Sequence, residues 1–364
     1  MKLRIKQYTI IWISLIIAGL LIVSSVNYAI DPAHLFHAKI YEQGIANLIL
    51  EGKNVAGVTN YDERLIQKMV VSNMPEKKDV IVLGSSRSMQ IRSALFPGMS
   101  FYNNSVSGAT IEDFLAIYSL YEQHGITPSI IVMGLDPWLL NANNNQSRWQ
   151  TLGDEYRYIA NKISAPLNVG KNVSNTREKL IQLVSLAYFK QSVSDALSKK
   201  TGKYFATADN ESTGNEILAD GSLVYDVNTR GLSVADVEAS AISYAKADPV
   251  YSLGDFSQID KNLLNTFTLF IDYLQSKNIR CIFYLPPYHP AAYAILSQSD
   301  RYKIITEVEN TFRQIAEQKG ITVLGSYDPG RAQSAPDDFF DGMHPKEISI
   351  ARSFAELPPL IIKK

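Results

Sequence analysis

The sequence predicts an α/β fold with a central parallel sheet, an N-terminal transmembrane helix and a largely helical insertion. Three observations carry this. Short, continuous apolar runs (Asp79–Leu83, Ser129–Leu135 and Ile279–Leu285) have the character of strands buried on both faces. Segments of helical periodicity alternate with them, as crossover connections between parallel strands require. Motifs rich in Gly, Ser, Asp and His stand just after the strand ends, where open α/β sheets collect their ligands.

The first element is the most apolar. Lys2, Arg4 and Lys6 precede a run from Gln7 to Ile30 with no charged residue, and Ile10–Val26 is almost wholly apolar. About 20 such residues cross a hydrocarbon core. The basic residues belong on the cytoplasmic side, which places the rest of the chain outside. A cleaved signal peptide would have a shorter apolar run and a small-residue cleavage site, and Val26-Asn27-Tyr28-Ala29 is a poor one. Residues 1–30 therefore read as a cytoplasmic tip and single-pass anchor.

Residues 31–78 read as a juxtamembrane connector, with helical turns at Leu48–Lys53 and Asp62–Met69. The sheet domain is expected over 79–364. Its strands are Asp79–Leu83, Ser100–Asn103, Ser129–Leu135, Ile279–Leu285 and Ile321–Leu324. Thr110 with Asp113 caps the helix after the second strand. Further helices are expected at about Lys261–Ser276, Tyr302–Gln318 and from Lys346. From about 141 to 260 the alternation stops. This stretch, rich in Asn, Ser, Lys and Tyr, with a helix at Arg177–Leu197 and a turn at Asp220-Gly-Ser222, reads as an insertion over one rim of the sheet.

Composition narrows the function. The chain has 364 residues, 46% hydrophobic and 20% charged, with a formal net charge of -1, so no basic excess exists to neutralise nucleic-acid phosphates. Cys281 is the only cysteine, set in an apolar strand as a small buried hydrophobe, and no internal disulfide can form. No metal-ligand spacing or nucleotide-binding glycine fingerprint is present, so no cofactor is expected.

Two motifs point to chemistry. In Gly84-Ser85-Ser86-Arg87-Ser88 the glycine lets the chain turn sharply out of a strand, with a serine standing at the start of the next helix. There its own N–H can face a developing oxyanion. In Asp341-Gly342-Met343-His344-Pro345 the spacing puts a carboxylate and an imidazole on one turn. The Asp can then fix the His tautomer while the far nitrogen accepts a proton from a serine.

Together these motifs resemble the SGNH (GDSL-like) hydrolase superfamily, known for a Gly-x-Ser turn and a C-terminal Asp-x-x-His. The Gly-Ser-Ser form and the N-terminal span look similar to the branch of membrane-anchored D-alanine transfer and envelope O-acyltransferase or esterase proteins. The resemblance covers roughly Asp79–Ile350 without the insertion. It implies a three-layer flavodoxin-like sheet and a catalytic triad of Ser86, Asp341 and His344. Gly108, from Asn104-Ser105-Val106-Ser107-Gly108, and the Ser86 N–H are the implied oxyanion donors. The third block of the superfamily is Gly-x-Asn-Asp; here Gly134-Leu135-Asp136-Pro137 puts Asp136 at the position of the donating Asn. That leaves Asp136 turned away, protonated or paired with Arg87, and Asn103, Asn104 or Asn141 as replacement donors. Arg87, Asp136, Asn141 and Tyr288 are candidate substrate contacts, and Trp138 and Trp149 are either a sugar platform or packing under the insertion. The implied activity is transfer or hydrolysis of acyl esters of a cell-envelope polysaccharide, outside the bacterial cytoplasmic membrane. The implied partners are the acylated glycan and a membrane-bound O-acyltransferase. A non-catalytic envelope protein that binds glycan or scaffolds an acyltransferase complex is the alternative.

Overall fold

A computed structural model describes residues 2–32, 35–168, 180–198, 204–208 and 213–357. In chain order the helices are α1 (Lys2–Ile30), α2 (Ala38–Leu50), α3 (Glu63–Ser72), α4 (Ile111–Gln123), α5 (Gly153–Lys162), α6 (Leu186–Ser198), α7 (Val227–Arg230), α8 (Val234–Lys246), α9 (Lys261–Ser276), α10 (Pro290–Gln298), α11 (Ile304–Lys319) and α12 (Glu347–Phe354). The strands are β1 (Asn54–Ala56), β2 (Val80–Leu83), β3 (Phe101–Asn103), β4 (Ile130–Gly134), β5 (Phe205–Thr207), β6 (Glu216–Ile217), β7 (Leu223–Val224), β8 (Arg280–Leu285) and β9 (Thr322–Gly325).

Five strands form a wholly parallel sheet in the order β3-β2-β4-β8-β9. Each matches a strand read from the sequence to within a residue or two. Alternate side chains serve opposite faces, as the pleat demands. Ile81, Leu83, Ile131, Met133, Cys281, Phe283 and Leu285 join one core with residues of α4, α9 and α11. Val80, Val82, Ile130, Val132, Ile282, Tyr284 and Leu324 join another with Phe96, Ile350 and Phe354. Both faces are therefore dry, which explains why these strands are continuously apolar rather than alternating. The Thr110–Asp113 capping box is present at α4, and burial pushes the Cys281 thiol up to about 12.

The segment 31–78 is more than a connector. β1 pairs antiparallel with β5 and β6, and β6 with β7, so this segment and the insertion share a second, four-stranded sheet. Tyr41, Ile45 and Ile49 of α2, Ile66 and Val70 of α3, and Val55, Ile217 and Leu223 make its core. Arg64 of α3 locks this unit to the main domain through a buried two-pronged bond to Asp113, at 2.7 and 2.8 Å. The strands β5, β6 and β7 are two or three residues each, too short for a periodicity signal, so the sequence showed this stretch only as loss of alternation. The expected helix at Arg177–Leu197 is broken: residues 180–183 and α6 are helical, 184–185 are not, and Arg177 lies outside the described residues.

Two glycines let the strand ends converge. A Cβ on Gly134 would stand 1.8 Å from Ser88 Oγ, and one on Gly84 would stand 2.6 Å from Ser88 Cβ. Gly134→Ala is expected to cost about 1–3 kcal/mol in denaturant unfolding through this overlap, with Ser88→Gly in the same chain restoring part of the loss.

Candidate active site

Gly84-Ser85 follows β2, and Ser85 caps the next turn by accepting from Arg87 N at 3.1 Å. That turn is a three-residue 3₁₀ segment, Ser86–Ser88, rather than the helix expected from the sequence. Within the run from Val80 to Ile91, Ser86 alone is not buried. The chain hides the whole turn and presents one hydroxyl.

His344 reaches that hydroxyl from the segment before α12, 258 positions away. Its Nε2 lies 2.9 Å from Ser86 Oγ, and its Nδ1 lies 2.7 Å from Asp341 Oδ2. The other Asp341 oxygen accepts from the N–H of Met343 and of His344, at 2.8 and 2.9 Å. With Asp341 accepting from Nδ1–H, the free lone pair of Nε2 faces the serine. Burial alone would raise the Asp341 pKa, but His344 and the two N–H groups outweigh it and bring the carboxyl down to about 2.

Arg87 fixes this geometry from beneath. It has no exposed surface. Its Nε donates to Met343 O at 2.8 Å, one guanidinium nitrogen to Asp136 at 3.0 Å, and the other to Pro286 O and Pro287 O at 2.6 and 2.9 Å. The guanidinium lies 4.2 Å from the Tyr288 ring centroid. Asp136 is fully buried too; burial pushes its carboxyl upward, against the pull of Arg87.

Several expected roles are thereby corrected. Arg87, Asp136 and Tyr288 are buried and cannot touch a substrate. Of the three possibilities for Asp136, pairing with Arg87 is the one found. The Asn104 amide is held by Gln67 and Tyr121, so its side chain is committed away from the serine. Asn103 ties down Ser88 O and Ile91 O. Asn141 donates to Ser252 O and lines a different, asparagine-rich hollow. Trp138 and Trp149 are buried, with the Trp138 indole donating to Ala109 O.

Gly108 keeps its place beside the serine. Both line a cleft of about 570 Å³ with Tyr61, Glu63, Arg148, Tyr225, Tyr244, Tyr251, Asp341 and His344. Gly108 has φ +58, which a side chain would disfavour, and its Cα faces Arg148, Tyr251 and Gln146 so closely that a Cβ would lie 2.5–2.8 Å from them. Neither the Ser86 nor the Gly108 N–H donates to another described residue. Glu63 holds the Gly108 loop by accepting from the backbone and hydroxyl of Ser107, and Arg64 donates to Ser107 O at 3.2 Å. Sequence reasoning missed Glu63, Arg148, Tyr225, Tyr244 and Tyr251. They come from the supposed connector and insertion, where no motif marked them; the tyrosine-rich composition was the one signal.

Among the described residues no group of three or more His, Cys, Asp or Glu side chains is placed to hold a metal ion. Fold and site together define an α/β protein with a Ser–His–Asp hydrogen-bonded chain at the carboxyl edge of its parallel sheet. The chain belongs to the family described as "Protein of unknown function (DUF1574)", whose model matches residues 51–363 and so takes in part of the 31–78 segment. No curated protein matches it.

This geometry has two measurable consequences. Arg87→Met strands a buried carboxylate and three carbonyls, and should cost about 3–5 kcal/mol in denaturant unfolding. The Asp341 pKa is depressed in the folded chain, so its contribution to stability is complete above about pH 4 and lost as pH falls toward 2. Asp341→Asn should flatten that part of a Tm-against-pH curve.

Proposed function

We propose that this protein is a membrane-anchored serine acyltransferase or esterase of the cell envelope, working through an acyl-Ser86 intermediate. One observation carries the reading: the unbroken chain from Ser86 Oγ through His344 to Asp341, at 2.9 and 2.7 Å, starting from the one residue of its turn that is not buried. His344 takes the Ser86 proton as the hydroxyl attacks an ester or thioester carbonyl, and Asp341 steadies the imidazolium. The N–H groups of Ser86 and Gly108 receive the oxyanion. The Arg148 guanidinium, beside Gly108 in the same cleft, supplies positive charge for the oxyanion. His344 then returns the proton to the leaving group, and water or a glycan hydroxyl releases the acyl group by the reverse sequence.

Further support comes from the sheet. Numbered within the sheet alone, its strands run 2-1-3-4-5, the order of flavodoxin-like folds, and Ser86 follows the strand at the reversal point. This favours the SGNH-like three-layer reading. The helix Lys6–Ile30 is long and apolar enough to cross a membrane, and the basic residues before it favour an outward-facing domain. An acyl donor delivered by a membrane-bound O-acyltransferase and an envelope polysaccharide acceptor fit that placement. A carboxylate facing the oxyanion would favour the scaffold alternative, and Asp136 is buried against Arg87 instead.

A fluorophosphonate probe should label the wild-type protein, and Ser86→Ala should abolish that labelling. Equal labelling of the Ser86→Ala protein would reject Ser86 as nucleophile. Arg148→Ala should leave labelling detectable but slow it by about 10²–10³-fold if its charge faces the oxyanion.

A further inference from the structure

We propose that residues 180–197 form a second membrane contact, a helical hairpin seated in the outer-facing boundary of the bilayer against the end of α1. This rests on α1 being a membrane span and is independent of the chemistry at Ser86. The segment Leu180–Leu197 carries only two charged residues, Lys190 and Asp195. It packs along the last two turns of α1, where Val23, Val26, Asn27 and Ile30 lose exposure at helical spacing.

The two faces of α6 divide by character. Tyr188 and Ser192 turn inward: Tyr188 donates to Asp31 at 2.7 Å and Ser192 to Asn27 Oδ1 at 3.3 Å. Leu186, Val193 and Leu197, at i, i+7 and i+11, share the opposite face, with Leu186 72% and Leu197 81% exposed. Leu180, Ile181 and Val184 of the preceding turn are exposed as well. Lys190 shares the apolar face, and a lysine can reach from such a position to the headgroups.

Asn27 points to lipid rather than water as the surrounding medium. It is fully buried, and its amide donates to the carbonyls of Gln182, Leu183 and Ser185, at 3.0, 3.0 and 3.1 Å. Those carbonyls lie at the break between the two helices; Gln182 O also accepts from Ser185 N and Ser185 O from Phe189 N, whereas Leu183 O has Asn27 as its donor among the described residues. In water the Leu183 carbonyl would need no such help; at hydrocarbon depth it must be satisfied within the protein. Depth agrees. Asn27 lies 21 residues beyond Lys6, roughly 31 Å along a helix, which is the far edge of a hydrocarbon core about 30 Å thick. Tyr28 stands beside it, exposed, as interfacial aromatics do. The occupant of the exposed stripe is therefore lipid.

The test uses the full-length chain with Cys281→Ser, carrying a nitroxide at Leu186→Cys or Leu197→Cys, in phosphatidylcholine–phosphatidylglycerol vesicles with no other protein. Both sites are exposed, so the label leaves packing intact; Ile16→Cys marks the bilayer and Ser297→Cys the soluble domain. Electron-spin relaxation by oxygen should exceed that by a water-soluble nickel chelate several-fold at both sites, as at Ile16. Chelate relaxation equal to or above that of oxygen would mean a water-facing hairpin. Low values for both reagents would mean coverage by a second protein copy. Either result overturns the proposal.

Discussion

The geometry of the candidate site depends on one buried cation. Arg87 comes one residue after the candidate nucleophile and bonds to the carbonyl of Met343, which precedes the candidate base by one. The distance from Ser86 to His344 is thus set through the backbone on both sides, not by the side chains alone. The same guanidinium gathers Asp136 from the end of β4 and Pro286 and Pro287 from the end of β8. Three strand ends and the His344 segment are referred to a single group. A fully buried charge is tolerable only when compensated this completely, so the site and this part of the core are one structure.

That compensation gives Asp136, in the Gly-Leu-Asp-Pro block, a structural role of its own. An Asn at position 136 could donate to an oxyanion; an Asp there balances Arg87. Two buried charges that would each be costly alone, an arginine and a carboxylate, neutralise each other away from the cleft. The positive charge at the cleft itself comes instead from Arg148 in the insertion, held near Tyr251 and Gln146.

Much of the framework was legible in the sequence because its signals are local. Runs buried on both faces must be continuously apolar, and the three such runs, with the two further expected strands, became the parallel sheet. Asp341 and His344 sit three apart, so one turn suffices to join them. The joining of Ser86 to His344 was an expectation from strand-end logic, and the fold brings the two within hydrogen-bonding reach. The hidden part was non-local: β1 at 54–56 finds β5 and β6 some 150 residues away. Arg87 was read as a candidate substrate contact because nothing local marks an arginine for burial. Asn104 sat next to the Gly108 loop in sequence, yet its amide was drawn inward by Gln67 and Tyr121. The second sheet and α3 matter to the site through Glu63 and Arg64, which brace the Gly108 loop from the segment expected to be a mere tether.

The most direct measurement is peptide-resolved mass spectrometry of the full-length protein after brief exposure to a short-chain thioester. An acyl increment on the peptide containing Ser86, lost on treatment with hydroxylamine, is the result expected of a nucleophile activated by His344 and Asp341. An acyl increment confined to a different peptide, in a chain that still turns the thioester over, would contradict it.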